Sequence, residues 1–360
     1  MLDGRRVLIT GIAGPLAGRV AAALEARDDV RELIGVDVRE PQHDLRRTEF
    51  VRADVRNPLV ARVLEVSEID TVLHLSTTSG PVAAGGRARM KEINVIGAMQ
   101  LLAACQKVPT LRRFVLKSST AVYGSEHTDP VSFREDVGSR TPPTHGFGKD
   151  VAEVEGYVRA LGRRRSDVDV TILRFANLLG GRIDGAFEAL FGLPAVPSVL
   201  GFDPRLQFCH EEDAVAVIER AATEDHPGTF NVAGDGVLYL SQCARLAGRV
   251  PVPVPLPFVA GVASLLRRTG RADIASDQLR FLQFGRVADT TRLREMMGYT
   301  PRFTTREAFE DFVRRRRIRG VIQRDEVIRW ERELYDFIQR KGQERFLAAR
   351  ERAEDRQGGS

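Results

Sequence analysis

Short apolar runs alternate with longer amphipathic stretches through the first half of the chain. The runs fall at 7–9, 31–37, 50–55, 71–76 and 113–117, each broken by glycine or polar residues. Runs of this length predict strands of a parallel sheet, buried on both faces. Between them, Ala, Leu and Val recur at helical spacing from about 16 to 26, and again around 94–102. Strands alternating with helices predict an α/β fold, a doubly wound parallel sheet of Rossmann type. The second half reads differently. Residues 180–204 are rich in Gly, Pro and Phe, which predicts loops and short helices rather than a sheet. Proline at every second position from 251 to 257 predicts an extended stretch, and an apolar helix with basic residues follows over 258–268.

The first turn carries chemistry. Thr10-Gly11-Ile12-Ala13-Gly14-Pro15-Leu16-Ala17 joins the first strand to the first helix. Gly11 permits a tight turn, and Gly14 lets the backbone approach a pyrophosphate. The helix N-terminus offers that anion free N–H groups, with Ile12 and Ala13 between the glycines. Ala17 is small enough for close packing of helix on strand. Asp37 ends the second strand, where a carboxylate accepts hydrogen bonds from the adenosine ribose and repels a 2′-phosphate. The pair predicts a dinucleotide site for NAD, and Arg39 keeps NADP open. Asp54-Val55 is expected over the adenine side. Asn94, among apolar neighbours, is expected to bond a backbone segment. Ser118 and Ser119 end the fifth strand, where hydroxyls meet a ligand or bond their own turn.

Composition narrows the class. The chain has 360 residues, 43% hydrophobic and 29% charged, as expected of a globular protein. Its formal charge of +5 is small for this length and suits an anionic small molecule; no concentrated basic and aromatic motif points to nucleic acid. Cys105, Cys209 and Cys243 are scattered without metal-ligand spacing and read as core residues in a reducing compartment. No metal is expected. The chain opens directly on a strand, which predicts a cytoplasmic protein without a leader. The longest charge-free stretch, 250–266, has prolines through its first half and predicts no spanning helix.

The ordered set of motifs resembles the extended short-chain dehydrogenase/reductase family, in its nucleotide-sugar epimerase/dehydratase branch. It runs Thr10-Gly11-x-x-Gly14-x-x-Ala17, Asp37, Asp54-Val55, His74-Leu75-Ser76, Asn94-Val95-x-Gly97 and Ser118-Ser119-x-x-Val122-Tyr123-Gly124. Leu173-Arg174-Phe175-Ala176-Asn177, Phe208-Cys209-His210-x-x-Asp213 and Phe230-Asn231-Val232 follow in step. A bacterial subgroup labelled UDP-glucose 4-epimerase-like is the nearest likeness. The resemblance implies bound NAD, a nucleotide-sugar substrate and a homodimer. It implies cofactor contacts from Leu75, Ser76, Asn94, Ser118 and Ala176. Ser119 then assists catalysis, Lys149 holds the nicotinamide ribose, Tyr123 contacts the substrate, and Asn177 contacts the substrate diphosphate. The expected organisation is a dinucleotide-binding domain over 1–175 and a smaller C-terminal substrate-binding lobe over 176–313, some of whose segments return to the first domain. A helical extension over 314–360 has a disordered end.

Two positions depart from the pattern. Four residues before Lys149, where the family carries its catalytic Tyr, stands His145. On one helix the two would share a face, and an imidazole titrates near neutral pH. His145 as base, another base such as Tyr123, a lost redox function with dinucleotide binding kept, and a different chemistry through Ser119 or water all stay open. A dehydratase or a steroid-dehydrogenase-like oxidoreductase is a further alternative. Where a substrate-binding Arg is expected stands Leu206, with Arg205 one residue earlier. Past 314 the likeness ends. Val327, Trp330, Leu334, Phe337 and Ile338 form a helical stripe, for the chain's own surface or a protein partner.

Overall fold

The computed structural model describes residues 4–80, 84–137, 141–181, 186–193, 195–268, 276–316 and 318. The apolar runs form β1 (Arg5–Thr10), β2 (Val30–Asp37), β3 (Thr48–Arg52), β4 (Thr71–His74) and β5 (Arg113–Ser119). Later come β6 (Asp169–Phe175), β7 (Asn177–Leu179), β8 (Ala195–Val199), β9 (Arg205–Leu206), β10 (Phe208–His210) and β11 (Gly228–Val232). The first helices are α1 (Pro15–Glu25), α2 (Leu59–Val66), α3 (Arg87–Lys91) and α4 (Gly97–Cys105). They are followed by α5 (Gly146–Arg164), α6 (Ala186–Gly192) and α7 (Glu211–Thr223).

Seven strands make the central sheet in the order β11-β6-β5-β4-β1-β2-β3. All six pairings are parallel. The chain runs outward from β1 to β3, then crosses back to lay β4 on the other side of β1. The carboxyl ends of β1 and β4 therefore flank a switch-point crevice, where α/β sheets bind ligands.

Side chains alternate across each strand, so the sheet has two cores. Val7, Ile9, Leu73, Val115 and Leu173 pack with α1 and α7 through Val20, Ala21, Val217 and Ala221. Leu8, Val72, Phe114, Leu116 and Ile172 pack with α2, α4 and α5 through Leu64, Leu101, Val154 and Val158. The same alternation sets the end of β5. Ser118 falls on the face of Phe114 and Leu116; Lys117 and Ser119 fall on the face of Val115.

The lobe beyond β6 has its own apolar cluster, including Phe187, Phe191, Phe208, Phe281, Phe309 and Phe312. One expectation is corrected here. The 180–204 stretch contains α6 but also β8, which pairs in parallel with Val250–Val254. The prolines at 251 and 253 lack N–H groups, so one edge of that segment has no donors. The N–H groups of Val250, Val252 and Val254 lie on the other edge, which can take a partner. β11 returns to the central sheet, and α7 packs against α1. Position 314 falls inside the helix Thr305–Arg315. The stripe beginning at Val327 lies outside the described residues. Among those residues, no helix is long and apolar enough to cross a membrane.

Candidate functional site

The crevice opens at the turn after β1. Gly11 has φ +77°, and a Cβ there would stand 2.9 Å from the Ser76 Cα, so only glycine lets the β1 and β4 loops close on each other. Gly14 caps α1 without a side-chain bond, and Pro15 opens the helix, leaving first-turn N–H groups for an anion. The Asp37 carboxylate accepts the Ala13 N–H at 3.1 Å and the Arg39 N–H at 3.0 Å, which ties the tip of β2 to the glycine loop. Ile12 is buried beneath the turn, and Leu75 is buried after β4.

Asp54 and Val55 lie past the end of β3. Arg56 forks onto Asp54 at 2.9 and 2.6 Å and holds its carboxyl below the usual range. Val55 packs against Gly97, where a Cβ would meet its methyl at 3.0 Å. The helix bearing Asn94 is interrupted by a π-helical turn, Glu92–Ile96. There the Asn94 amide accepts the Thr78 N–H at 2.9 Å and donates to the Thr78 carbonyl at 2.8 Å, fixing the loop after β4. Cradle, carboxylate and fixed loop together fit a dinucleotide across the switch point.

A cavity of about 330 Å³ continues from the end of β5. Its walls include Ser118, Ser119, His145, Ala176 and Asn177, so the structure brings these five expected residues together. Thr77, Lys117, Glu126, Glu188, Arg280 and Arg286 also line it. The Ser119 hydroxyl accepts the Ala121 N–H at 3.1 Å and keeps its own proton to donate. Lys117 donates to the Thr77 hydroxyl at 3.0 Å, and burial pushes its ammonium down to about 8. Behind β4, His74 is held through Nδ1 by the Thr10 hydroxyl at 2.8 Å, and burial pushes it down to about 4.

The wall rests on a buried network. Ser118 donates to Glu155 at 2.5 Å, and Arg174 forks onto the same carboxylate at 2.9 and 2.8 Å. Burial pushes Glu155 toward its neutral form, but Arg174 outweighs it and holds the carboxyl below its usual range. Arg174 also donates to the Tyr123 hydroxyl at 2.8 Å, which donates to Asn231 Oδ1 at 2.8 Å.

Three residues expected to contact substrate or take part in the reaction stand apart from the cavity: Tyr123, Lys149 and Arg205. Tyr123, expected as a substrate contact or base, is 1% exposed, and its hydroxyl is taken by Arg174 and Asn231. Burial raises its pKa, which further disfavours a phenolate. His145 and Lys149 do not share a helical face. His145 caps α5 with extended backbone, φ −152° and ψ 173°, because Gly146 turns into the helix with φ +74°. His145 reaches the cavity mouth, with Nδ1 3.1 Å from the Thr144 hydroxyl, whereas Lys149 is exposed and off the wall. Arg205 lies in β9, paired with Leu238–Tyr239, and is absent from the wall as well.

Among the described residues, the cations on the wall are Lys117, Arg280 and Arg286, none of which local motifs marked. Arg280 pairs with Glu126. Arg286 donates to the Gly124 carbonyl at 3.0 Å and lies over the Phe281 ring at 4.9 Å. For Lys117 a signal existed: only five of the 54 Lys and Arg residues are lysines, and one lies near the carboxyl end of β5.

Comparisons with known proteins agree with this geometry. The profile of the "NAD dependent epimerase/dehydratase family" matches residues 7–233. An uncharacterised protein of Mycobacterium tuberculosis is 47% identical over 340 residues, covering 93% of this chain and 90% of its own. The UDP-glucose 4-epimerase of Thermotoga maritima, solved with UDP-glucose, is similar in fold with TM-score 0.66 at 19% identity, covering 87% of this chain and 98% of its own. The UDP-glucuronic acid 4-epimerase of Bacillus cereus, solved with UDP-glucuronic acid and NAD, gives TM-score 0.66 at 18% identity, with 87% and 99% covered.

Proposed function

The chain belongs to the NAD dependent epimerase/dehydratase family, and from that premise we propose that it oxidises and re-reduces a carbinol carbon of a nucleotide sugar. The simplest form is a UDP-glucose 4-epimerase-like reaction. One observation carries this reading: the cavity opens from the carboxyl end of β5 beside the dinucleotide cradle, with the Ser119 hydroxyl and the His145 imidazole on its walls. Bound NAD supplies a hydride acceptor and donor. The glycine loop holds the pyrophosphate, and Asp37 takes the adenosine ribose. Ser119 donates to the reacting sugar oxygen, and Asn177 lies where a diphosphate would pass. His145, at the mouth, contacts the sugar. The named ligands of the two solved relatives, UDP-glucose and UDP-glucuronic acid, are the natural first substrates to try.

A second reading keeps dinucleotide binding and drops turnover. The exposed position of Lys149, away from the cavity, favours it, since no cation then stands where the family pattern puts one. Anaerobic absorbance in the NADH band separates the two. NAD-loaded protein is mixed with each UDP-sugar, beside a His145→Tyr variant. Cofactor reduction or sugar interconversion by the natural chain supports the enzyme. Reduction only by the variant supports the binding protein. Silence from both across a nucleotide-sugar panel overturns the nucleotide-sugar reading.

A further inference from the structure

The site needs a group that takes a proton from the reacting hydroxyl, and the expected ones are poorly placed. Tyr123 is sealed in the Arg174 network, and His145 sits outside its helix at the exposed mouth. Lys149 is off the wall. Lys117 is different in each respect. It lies on the cavity wall, on the same face of β5 as Ser119 and about 6.6 Å from it along the strand. Its ammonium donates to a neutral hydroxyl, Thr77 Oγ1, on the loop that Asn94 fixes. Among the described residues no carboxylate forms an ion pair with it. The titratable side chain on the neighbouring strand is His74, which pairs with Leu116 and so lies on the other face of the sheet, buried and held neutral.

We propose that Lys117 is the proton acceptor of this site; the assignment rests on the nucleotide-sugar reading above. In the oxidative half, the neutral amine takes the sugar O–H proton while the C–H hydride passes to the bound dinucleotide. The products are a ketone, an ammonium and the reduced dinucleotide. In the reverse half the ammonium returns the proton as hydride adds to the ketone carbon, so the chain ends unchanged. Ser119 orients the oxygen, as its free proton allows. A bound oxidised dinucleotide favours the neutral amine twice over, because it covers the cavity from water and brings a positive ring. Lysine and not arginine is required, since a guanidinium stays protonated at working pH. In a chain with so few lysines, one at this position is chemically informative.

Trace acetylation of the full-length protein, read peptide by peptide by mass spectrometry from pH 6 to 11, measures the amine without turnover. A Lys117 midpoint near 8, with protection by NAD, is the expected result. In parallel, NADH-band reduction by the UDP-sugar should follow the same midpoint. It should fall about 100-fold or more in Lys117→Arg and in Lys117→Met, with NAD binding kept. A Lys117 midpoint near the free-lysine value of about 10.4, or wild-type reduction by Lys117→Arg, overturns the assignment and leaves the nucleotide-sugar reading standing. A normal Lys117 titration in a wild-type protein silent toward every nucleotide sugar overturns both.

Discussion

The two ends of the crevice are built by different means. The cofactor end is made of backbone: a glycine with φ +77°, a helix N-terminus without a side-chain cap, and a carboxylate holding a loop N–H. These three parts lie within the first 37 residues, and each is a local consequence of residue type. The cavity end is made of side chains from distant regions, among them the loop after β4, β5, the start of α5, β7, α6 and the segment that contributes Arg280 and Arg286. Its shape depends on a buried ion pair, Glu155 with Arg174, that touches no expected ligand. Backbone sites tolerate change poorly at single glycines. Side-chain sites fail through their supports.

The largest effect should therefore come from the support. Among the described residues, Arg174→Met leaves the Glu155 carboxylate, 1% exposed, with Ser118 and the rim Arg159 as partners. Breaking a buried pair by removing one partner costs about 3–5 kcal/mol. Urea unfolding should show that loss, with cavity ligands lost alongside. A change below about 1 kcal/mol would mean that the network is solvated and the contrast between the two ends is wrong.

Gly11→Val attacks the other end and should cost somewhat less, about 3 kcal/mol. A β-branched residue there is strained at φ +77° and meets the Ser76 Cα at 2.9 Å. Calorimetric titration should show NAD binding abolished. If NAD still binds at wild-type affinity, the turn is not the phosphate cradle.

These two cases mark what was legible. The parallel sheet and the glycine turn follow from runs and glycines next to one another in sequence. So do the backbone bonds of Asn94 and the turn bond of Ser119, whose partners lie close in sequence, whereas the Ser118 hydroxyl goes to Glu155, 37 residues on. Tyr123 misled because its partner, Asn231, is 108 residues away, and nothing near Tyr123 signals that its hydroxyl is occupied. The four-residue spacing to Lys149 places His145 on the helix, though Pro142-Pro143 before it and Gly146 after it mark a start. Arg280 and Arg286 were illegible because the cavity is closed by tertiary packing of the second lobe.

Lys117 ties the two ends together, and its substitution should separate stability from function. Its folded pKa, about 8, lies below that of a free lysine, so the folded state binds fewer protons than the unfolded chain between the two values. Stability then rises with pH across that window, and the penalty of burying the ammonium is complete below about pH 8. Lys117→Met should gain about 1–3 kcal/mol at pH 7, a gain that fades toward pH 10. Urea midpoints at the two pH values measure it. A variant less stable than wild type at pH 7 would mean that the Thr77 hydrogen bond outweighs the buried charge.

The smallest effect belongs to Asp37, and it bears most directly on the comparison. In the described structure its carboxylate already has two backbone donors, Ala13 and Arg39. Asp37→Asn keeps an oxygen for the Ala13 N–H, so the turn should hold and stability should change by less than about 0.5 kcal/mol. What it removes is charge toward the ribose. NAD affinity should fall about tenfold, roughly 1.4 kcal/mol, while NADP gains from the lost repulsion. Titration of both dinucleotides against the variant reads the ratio. If both affinities drop together, Asp37 serves the loop and not the ribose. The cofactor end would then depend on a side-chain support, as the cavity end does, and the line drawn between them would disappear.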